Sequence, residues 1–332
     1  MFTFNLSCFG TWLPEAIDSS AVALTNPAPA PWSNRCLIMV RQVSVRLTTV
    51  MISAAVTCAA LGQHVPHLPR CEGVEVAIDM NEERCGRPGG GATFKDCAAC
   101  PEMLMVPAGE FTMGSNEHGD EEPVHKVTIG RPFAVGRCEV TFAEWDACVE
   151  EGGCKYQPAD RGWGRGRQPV TNVSWDDVTG SYLPWLTRKT AKSYRLLTEA
   201  EWEYAARGPV QASGVNTAYA WGHDIGRGRA NCRGCDSAWD NRPAPVGSFA
   251  ANAFGLHDMH GNVWEWVQDC YKVTHAGAPA DGQATSDVAA CLRVVRGGAW
   301  YDKPHDIRSA SRSGVRPVNR YGGSGFRVAR AL

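Results

Sequence analysis

Apolar and polar residues alternate along Met103–Ser115 (MLMVPAGEFTMGS), which predicts a strand, a Pro-Ala-Gly turn and a second strand. His125–Thr141 alternates in the same way around a Gly130-Arg131-Pro132 break. Three later stretches open with a hydroxyl residue followed three positions on by a carboxylate: Thr141 with Glu144, Ser174 with Asp177, and Thr198 with Glu201. Such pairs satisfy orphan backbone N–H groups at a helix start, so they predict three helices. Gly152-Gly153 stops the first, and Pro184 is expected to kink or shorten the second. Each helix carries a tryptophan (Trp145, Trp175 or Trp185, Trp202), which predicts a core built from aromatics.

From Arg207 to Val246 the pattern is irregular, and a loop this long in a compact domain is usually functional or held by ions or disulfides. The chain then reaches FGLHDMHGNVWEWVQDC, Phe254–Cys270. Gly261 and Asn262 read as a turn at positive φ. Trp264 and Trp266, two apart, share one face of a strand and enter the core, while Glu265 faces the other way. RVVRGGAW (Arg293–Trp300) and GSGFRVARAL at the end supply further strands. Short helices set among many short strands, with no solenoid-period repeat, give an α+β class with much irregular structure.

Composition narrows the setting. The 332 residues are 44% hydrophobic and 20% charged with a formal net charge of −2, so nothing points to nucleic acid as a partner. Fourteen cysteines without zinc-ribbon spacing fit disulfides in an oxidising compartment. From about Met39 the chain offers Arg41 and Arg46, an apolar run to Leu61 too short for a membrane span, and an Ala60-Leu61-Gly62 cleavage pattern. Residues 1–62 therefore read as leader and signal peptide of a secreted or periplasmic protein. A lipoprotein reading through Cys58 is weaker, because Ala55-Val56-Thr57 matches the lipidation pattern poorly. Residues 63–94 form a linker with Cys71 and Cys85 closed on each other, 95–332 form the domain, and no transmembrane segment is expected in the mature protein. The candidate disulfide cysteines are Cys97 and Cys100, Cys148 and Cys154 around a Gly-Gly turn, Cys232 and Cys235 within one loop, and Cys270 and Cys291 closing a long excursion.

Assembled in order, MVPAGEFTMGS, EVTFAEW, PVTNVSWDD, YRLLTEAEWEYAAR, YAWG, APVGSFAANAFGLHDMHGNVWEW, RVVRGGAW and GFRVAR resemble the sulfatase-modifying-factor domain of the formylglycine-generating-enzyme type, from about Cys97 to Leu332. The resemblance implies a modified C-type-lectin-like fold that often holds calcium. It also implies an oxidation of a sulfatase cysteine to formylglycine, with oxygen and a copper ion held by two thiolates in a pattern RGGSxxCxxxxC. Here those positions are Ala299, Asp302 and Ile307, and no cysteine follows Cys291. A carboxylate and an isoleucine cannot make a two-thiolate copper site. Calcium is the expected cation and copper is not; Asp302, His305 and Asp306 read either as solvated loop residues or, with His257 or His260 nearby, as a carboxylate–histidine site for iron or another hard metal. Carried over residue by residue, one calcium site uses Asn231, the Cys232 carbonyl and Asp240 (or Asp236). The other uses Asn262, the Val263 carbonyl and Glu265.

Two functions follow. One is a calcium-stabilised, lectin-like scaffold that binds a protein, peptide or glycan, with Cys154–Gly166 and Arg207–Arg242 as its recognition surface. The alternative is a metal-dependent oxidoreductase of the same superfamily acting on a protein or small molecule. Members without the cysteine pair act in periplasmic siderophore maturation or as iron-dependent sulfoxide synthases. His257 and His260 are a further weak metal candidate. The arginines at 308, 312, 316, 320, 327 and 330 either line a groove or form internal ion pairs.

Overall fold

The computed structural model describes residues 76–79, 84–209, 216–239, 241–285 and 290–332, with side chains from 86 onward. The leader and signal peptide, the Cys71–Cys85 closure and Asp240 lie outside the described residues. No helix among the described residues is long and apolar enough to cross a membrane.

Two larger sheets organise the domain. One has five strands in the order Thr93–Phe94, Met103–Val106, Phe133–Gly136, Val328–Ala331, Tyr194–Leu196. The other runs Arg312–Val315, Arg293–Arg296, Trp264–Cys270, Ser324–Phe326, with the last pair parallel. The strands on either side of the Pro-Ala-Gly turn part company. Met103–Val106 joins the five-stranded sheet, whereas Gly109–Met113 pairs only with His125–Ile129 in a two-stranded ribbon.

All three expected capping boxes form, with Thr141, Ser174 and Thr198 each accepting from the backbone N–H three residues on. The helices Phe142–Glu150 and Glu199–Arg207 follow the first and third. Pro184 does more than shorten the second. The chain turns α over Trp175–Asp177, widens into a π turn over Val178–Tyr182, then resumes α over Leu183–Thr190. The wider turn falls where a proline without an N–H would otherwise face a carbonyl of the preceding turn.

The aromatics divide between two buried clusters. Trp145 stacks on Tyr182 at 5.5 Å and meets Phe326 edge-on, with Trp185 and Trp266 in the same cluster. Trp202, Tyr204, Phe111 and Phe254 make the other. The strand Trp264–Cys270 runs through the middle of its sheet and contributes residues to both clusters, Trp266 to one and Val267 to the other. That corrects the expectation for Glu265. It points away from Trp266, as a strand requires, but into the protein, and only 1% of it is exposed. Disulfides join Cys97–Cys100, Cys148–Cys154, Cys232–Cys235 and Cys270–Cys291.

Candidate functional site

The turn after Arg293–Arg296 carries Ala299 and Asp302, with Ile307 just beyond it, the three positions at which the sequence departs from the two-cysteine pattern. Gly298 has φ +73, and a Cβ there would come within 2.5 Å of Ile307 Cγ2, so only glycine lets the segment 304–307 lie against the turn. Asp302 folds back onto its own turn. One carboxylate oxygen accepts from Ala299 N–H at 2.9 Å and from the Trp264 indole N–H at 2.8 Å. Burial outweighs these donors and raises its pKa. Ile307 is 0% exposed and packs with Tyr219, Ala230, Cys232 and Cys235. Its carbonyl accepts from His260 Nδ1 at 2.9 Å.

A two-thiolate copper site does not fit these positions. The free cysteine among the described residues, Cys138, lies in a separate cavity of about 480 Å³ with Glu102, Arg137, Glu139 and Arg167. Burial pushes its thiol up to about 12, with the charges of Asp258 and Glu139 adding to the effect. A thiol so hard to ionise, alone in its cavity, is not half of a thiolate pair.

The expected calcium ligands are placed unequally. Asn262 takes the positive φ expected of it, +66. Its amide oxygen accepts from Ala244 N–H at 2.8 Å and its amide nitrogen donates to Glu139 at 2.9 Å, so the side chain is spent on protein. Val263 is fully buried beside it. Glu265 accepts from Arg327 at 2.7 Å and from the Trp202 indole at 2.8 Å, and faces the core where an outward, cation-facing carboxylate was expected. Asn231 differs: its amide oxygen is buried with no hydrogen-bond donor among the described residues. Asn231 donates through Nδ2 to Arg242 O at 2.9 Å, and its backbone carbonyl accepts from Asn262 N–H at 2.8 Å. A Cβ at Gly261 would fall 2.2 Å from that carbonyl, so glycine is what lets the two loops meet. Cys232 is in its disulfide, and its carbonyl accepts from Cys235 N–H at 3.2 Å. Asp236 is exposed and paired with Arg227 at 2.7 Å.

The histidine candidates do not converge. His257 bonds Phe249 O through Nδ1, while His260 is held between Ile307 O and Ala220 N–H. Burial lowers the His260 pKa to about 4, so it stays neutral. His305 pairs with Asp306 at 2.9 Å and stacks on His118. Among the described residues no three His, Cys, Asp or Glu side chains gather as a metal site. Most of the late arginines form ion pairs: Arg308 with Glu121, Arg312 with Glu199, Arg320 with Asp177, Arg327 with Glu265 and Arg330 with Asp96.

What the turn does line is a small cavity. Trp300 meets Trp163 at 5.6 Å and Tyr301 at 5.0 Å, both edge-to-face. Beside them a cavity of about 260 Å³ is bounded by Arg233, Gly234, Asn241, Trp300 and Tyr301. Arg233 N–H donates to Asp302 O at 2.8 Å, which fastens the Cys232–Cys235 loop to the turn. Trp163 and Arg233 fall in the two segments expected to vary for recognition, and the structure brings both to Trp300. Sequence reasoning missed Arg233 and Trp300 individually. The available signal was the tryptophan directly after the glycine pair.

The sulfatase-modifying factor enzyme 1-like domain matches residues 91–332. The solved structure of PvdO from Pseudomonas aeruginosa is 40% identical, covers 74% of this chain and 100% of its own, and superposes with a TM-score of 0.67. The formylglycine-generating enzyme of Streptomyces coelicolor is 32% identical over 68% of this chain and 88% of its own length. Serine/threonine-protein kinase pkn1 of Chlamydia pneumoniae is 34% identical over 70% of this chain, which spans only 38% of that protein's length.

Proposed function

Because the chain belongs to the sulfatase-modifying factor enzyme 1-like family, we propose that it keeps the family's fold as a binding scaffold and generates no formylglycine. The observation that carries this reading is the geometry at the two copper positions. Asp302 is held by Trp264 and Ala299, and Ile307 is sealed in a hydrophobic cluster. A carboxylate spent on its own turn and a buried isoleucine supply no thiolate pair to hold copper. The ligand then sits at the Trp300 cavity, where recognition segments and turn meet. Disulfides through eight described cysteines support a secreted or periplasmic setting.

The purified protein, incubated with a Cys-x-Pro-x-Arg peptide, copper and oxygen, is expected to yield no aldehyde above the protein-free control by mass spectrometry. Conversion above that control overturns the reading.

Calcium belongs to this proposal at the Asn231 loop rather than at Glu265. An orphaned amide oxygen is the kind of hard donor calcium takes, alongside backbone carbonyls in irregular chain. Its expected effect is a higher melting temperature in millimolar calcium than in EGTA, read by differential scanning fluorimetry. Asn231→Ala should abolish the difference; an unchanged difference in that variant removes calcium from this loop.

A further inference from the structure

A second cavity, of about 280 Å³, shares no lining residue with the one at Trp300. Buried Leu256 and Met259 line it together with half-buried Trp221 and Phe249, so its walls are mostly apolar. Both of its loops are anchored. Trp221 stacks on Tyr219 at 5.3 Å, meets His260 edge-on at 4.9 Å, and donates its indole N–H to Asp224 O at 2.9 Å. Asn252 fixes the alanine-rich loop beside it. Its Nδ2 donates to Ala205 O at 2.7 Å, and its Oδ1 accepts from Phe254 N–H at 3.0 Å and Leu256 N–H at 3.1 Å. A site held in place before its ligand arrives loses little on ordering.

Among the polar side chains of this lining, only one keeps its donors. Asn252 is spent on the loop and on the helix end. His260 is held through Nδ1 by Ile307 O, and its Nε2 accepts from Ala220 N–H. Asp258 accepts from Gly247 N–H at 2.6 Å, is 6% exposed, and has its pKa raised by burial. Arg229 differs. It is exposed, and its guanidinium makes no ion pair or hydrogen bond among the described residues. It lies over the Trp221 ring at 6.0 Å, the outer limit of a cation–π contact. Gly226, at φ +65, lets the side chain lie against its backbone, since a Cβ there would fall 3.0 Å from Arg229 Nε. The acids flanking Arg229 in sequence are engaged elsewhere: Asp224 accepts from Gly226 N–H at 3.0 Å, and Asp236 pairs with Arg227 at 2.7 Å.

One positive charge set against apolar walls selects a ligand by charge and by size. An ammonium would meet the guanidinium of Arg229 and only a buried, already bonded carboxylate at Asp258. A phosphate dianion would find one guanidinium and no second cation in the lining. A carboxylate brings a single charge and two oxygens in one plane, which suits the guanidinium fork. An apolar body behind it would exclude water from Leu256, Met259 and Phe249. The volume lies just below the usual range of about 300–1,000 Å³ for small-molecule sites, which limits that body to a single ring or a short acyl chain.

We propose that the Trp221–Arg229 cavity binds a small apolar carboxylate, with its charge on Arg229 and its body against Leu256, Met259 and Phe249. This goes beyond the scaffold reading, because the site uses none of the residues of the Trp300 cavity.

The test is calorimetric titration of the purified protein, with saturation-transfer NMR, using four probes at millimolar concentration: phenylpropionate, phenylpropionamide, phenethylamine and acetate. Phenylpropionate is expected to bind, and the amide, the amine and acetate to bind more weakly by about tenfold or more. Arg229→Gln should weaken phenylpropionate by a similar factor. Ala251→Leu, at a second exposed lining position, should fill the cavity and block the same probe. Both variants should keep the melting temperature of the parent. Equal binding of acid and amide would reduce the site to an apolar crevice, and tighter binding of the amine would give the charged contact to Asp258. Acetate binding as well as phenylpropionate would leave the apolar walls without a role. Each of these results overturns the proposal, as does no binding of phenylpropionate or an unchanged affinity in Arg229→Gln. Aldehyde formation in the separate peptide assay would instead overturn the scaffold reading and leave this site standing.

Discussion

Glu203→Ala is expected to lower the free energy of unfolding by about 3–5 kcal/mol, measured by urea denaturation at neutral pH. Glu203 is 0% exposed and its carboxylate lies between two buried guanidiniums. It accepts from Arg207 at 2.6 Å, from Arg296, and from Gly114 N–H at 2.9 Å. Arg207 goes on to hold Gly114 O and Thr217 O, and Arg296 holds Ala310 O and Ser311 O. One carboxylate therefore fastens the helix Glu199–Arg207 to the strand Arg293–Arg296 and to three loops. Removing it leaves two charges buried without their shared counter-ion. Such a loss exceeds what an exposed ion pair contributes by several-fold.

The pH dependence checks the same argument. Burial alone would raise the Glu203 carboxyl, but Arg207 and Arg296 outweigh it and hold the pKa at about 2, against an ordinary 4.5. Its contribution is thus full above pH 4.5 and lost as pH falls toward 2. Burial lowers His260 and His275 to about 4 from 6.5, so stability that depends on their neutrality is full above 6.5 and lost as pH falls toward 4. Glu203→Gln should flatten the lower part of the acid limb and leave the histidine part in place. A cost below about 1 kcal/mol for Glu203→Ala would place the network outside the fold's main supports.

What the sequence made legible was local. Capping boxes at Thr141, Ser174 and Thr198 are read from residues three apart, and the Cys148–Cys154 pairing from a short loop. Alternation placed Trp264–Cys270 on a strand and put Glu265 opposite Trp266. It could not say that both faces of that strand are buried, because this depends on helix Glu199–Arg207 packing from a remote part of the chain. For the same reason Glu265 read as a cation ligand, while its partner Arg327 stood 62 residues away. The convergence of Trp163, Arg233 and Trp300 is equally non-local. Asp302 was found as a substituted position, but its role as acceptor for its own turn needed coordinates.

Glu265→Gln provides the sharpest contrast between those two readings of the strand. The structure predicts a loss of about 3–5 kcal/mol that is the same in calcium and in EGTA. Arg327 is 0% exposed, donates to both Glu265 oxygens, and also holds Gly136 O and His257 O. Glutamine can still accept from the Trp202 indole through its oxygen, yet its NH₂ would face the guanidinium, replacing an acceptor by a donor. The guanidinium is then buried beside a neutral group. Arg327→Met alone should cost a similar amount, because it strands the carboxylate. The pair Glu265→Gln with Arg327→Met should cost clearly less than the sum of the singles, since no buried charge is left unpaired. Were Glu265 a calcium ligand, the single variant would lose stability in calcium and much less in EGTA. A loss confined to calcium, with additive double-variant energies, would assign the carboxylate to the cation and not to Arg327.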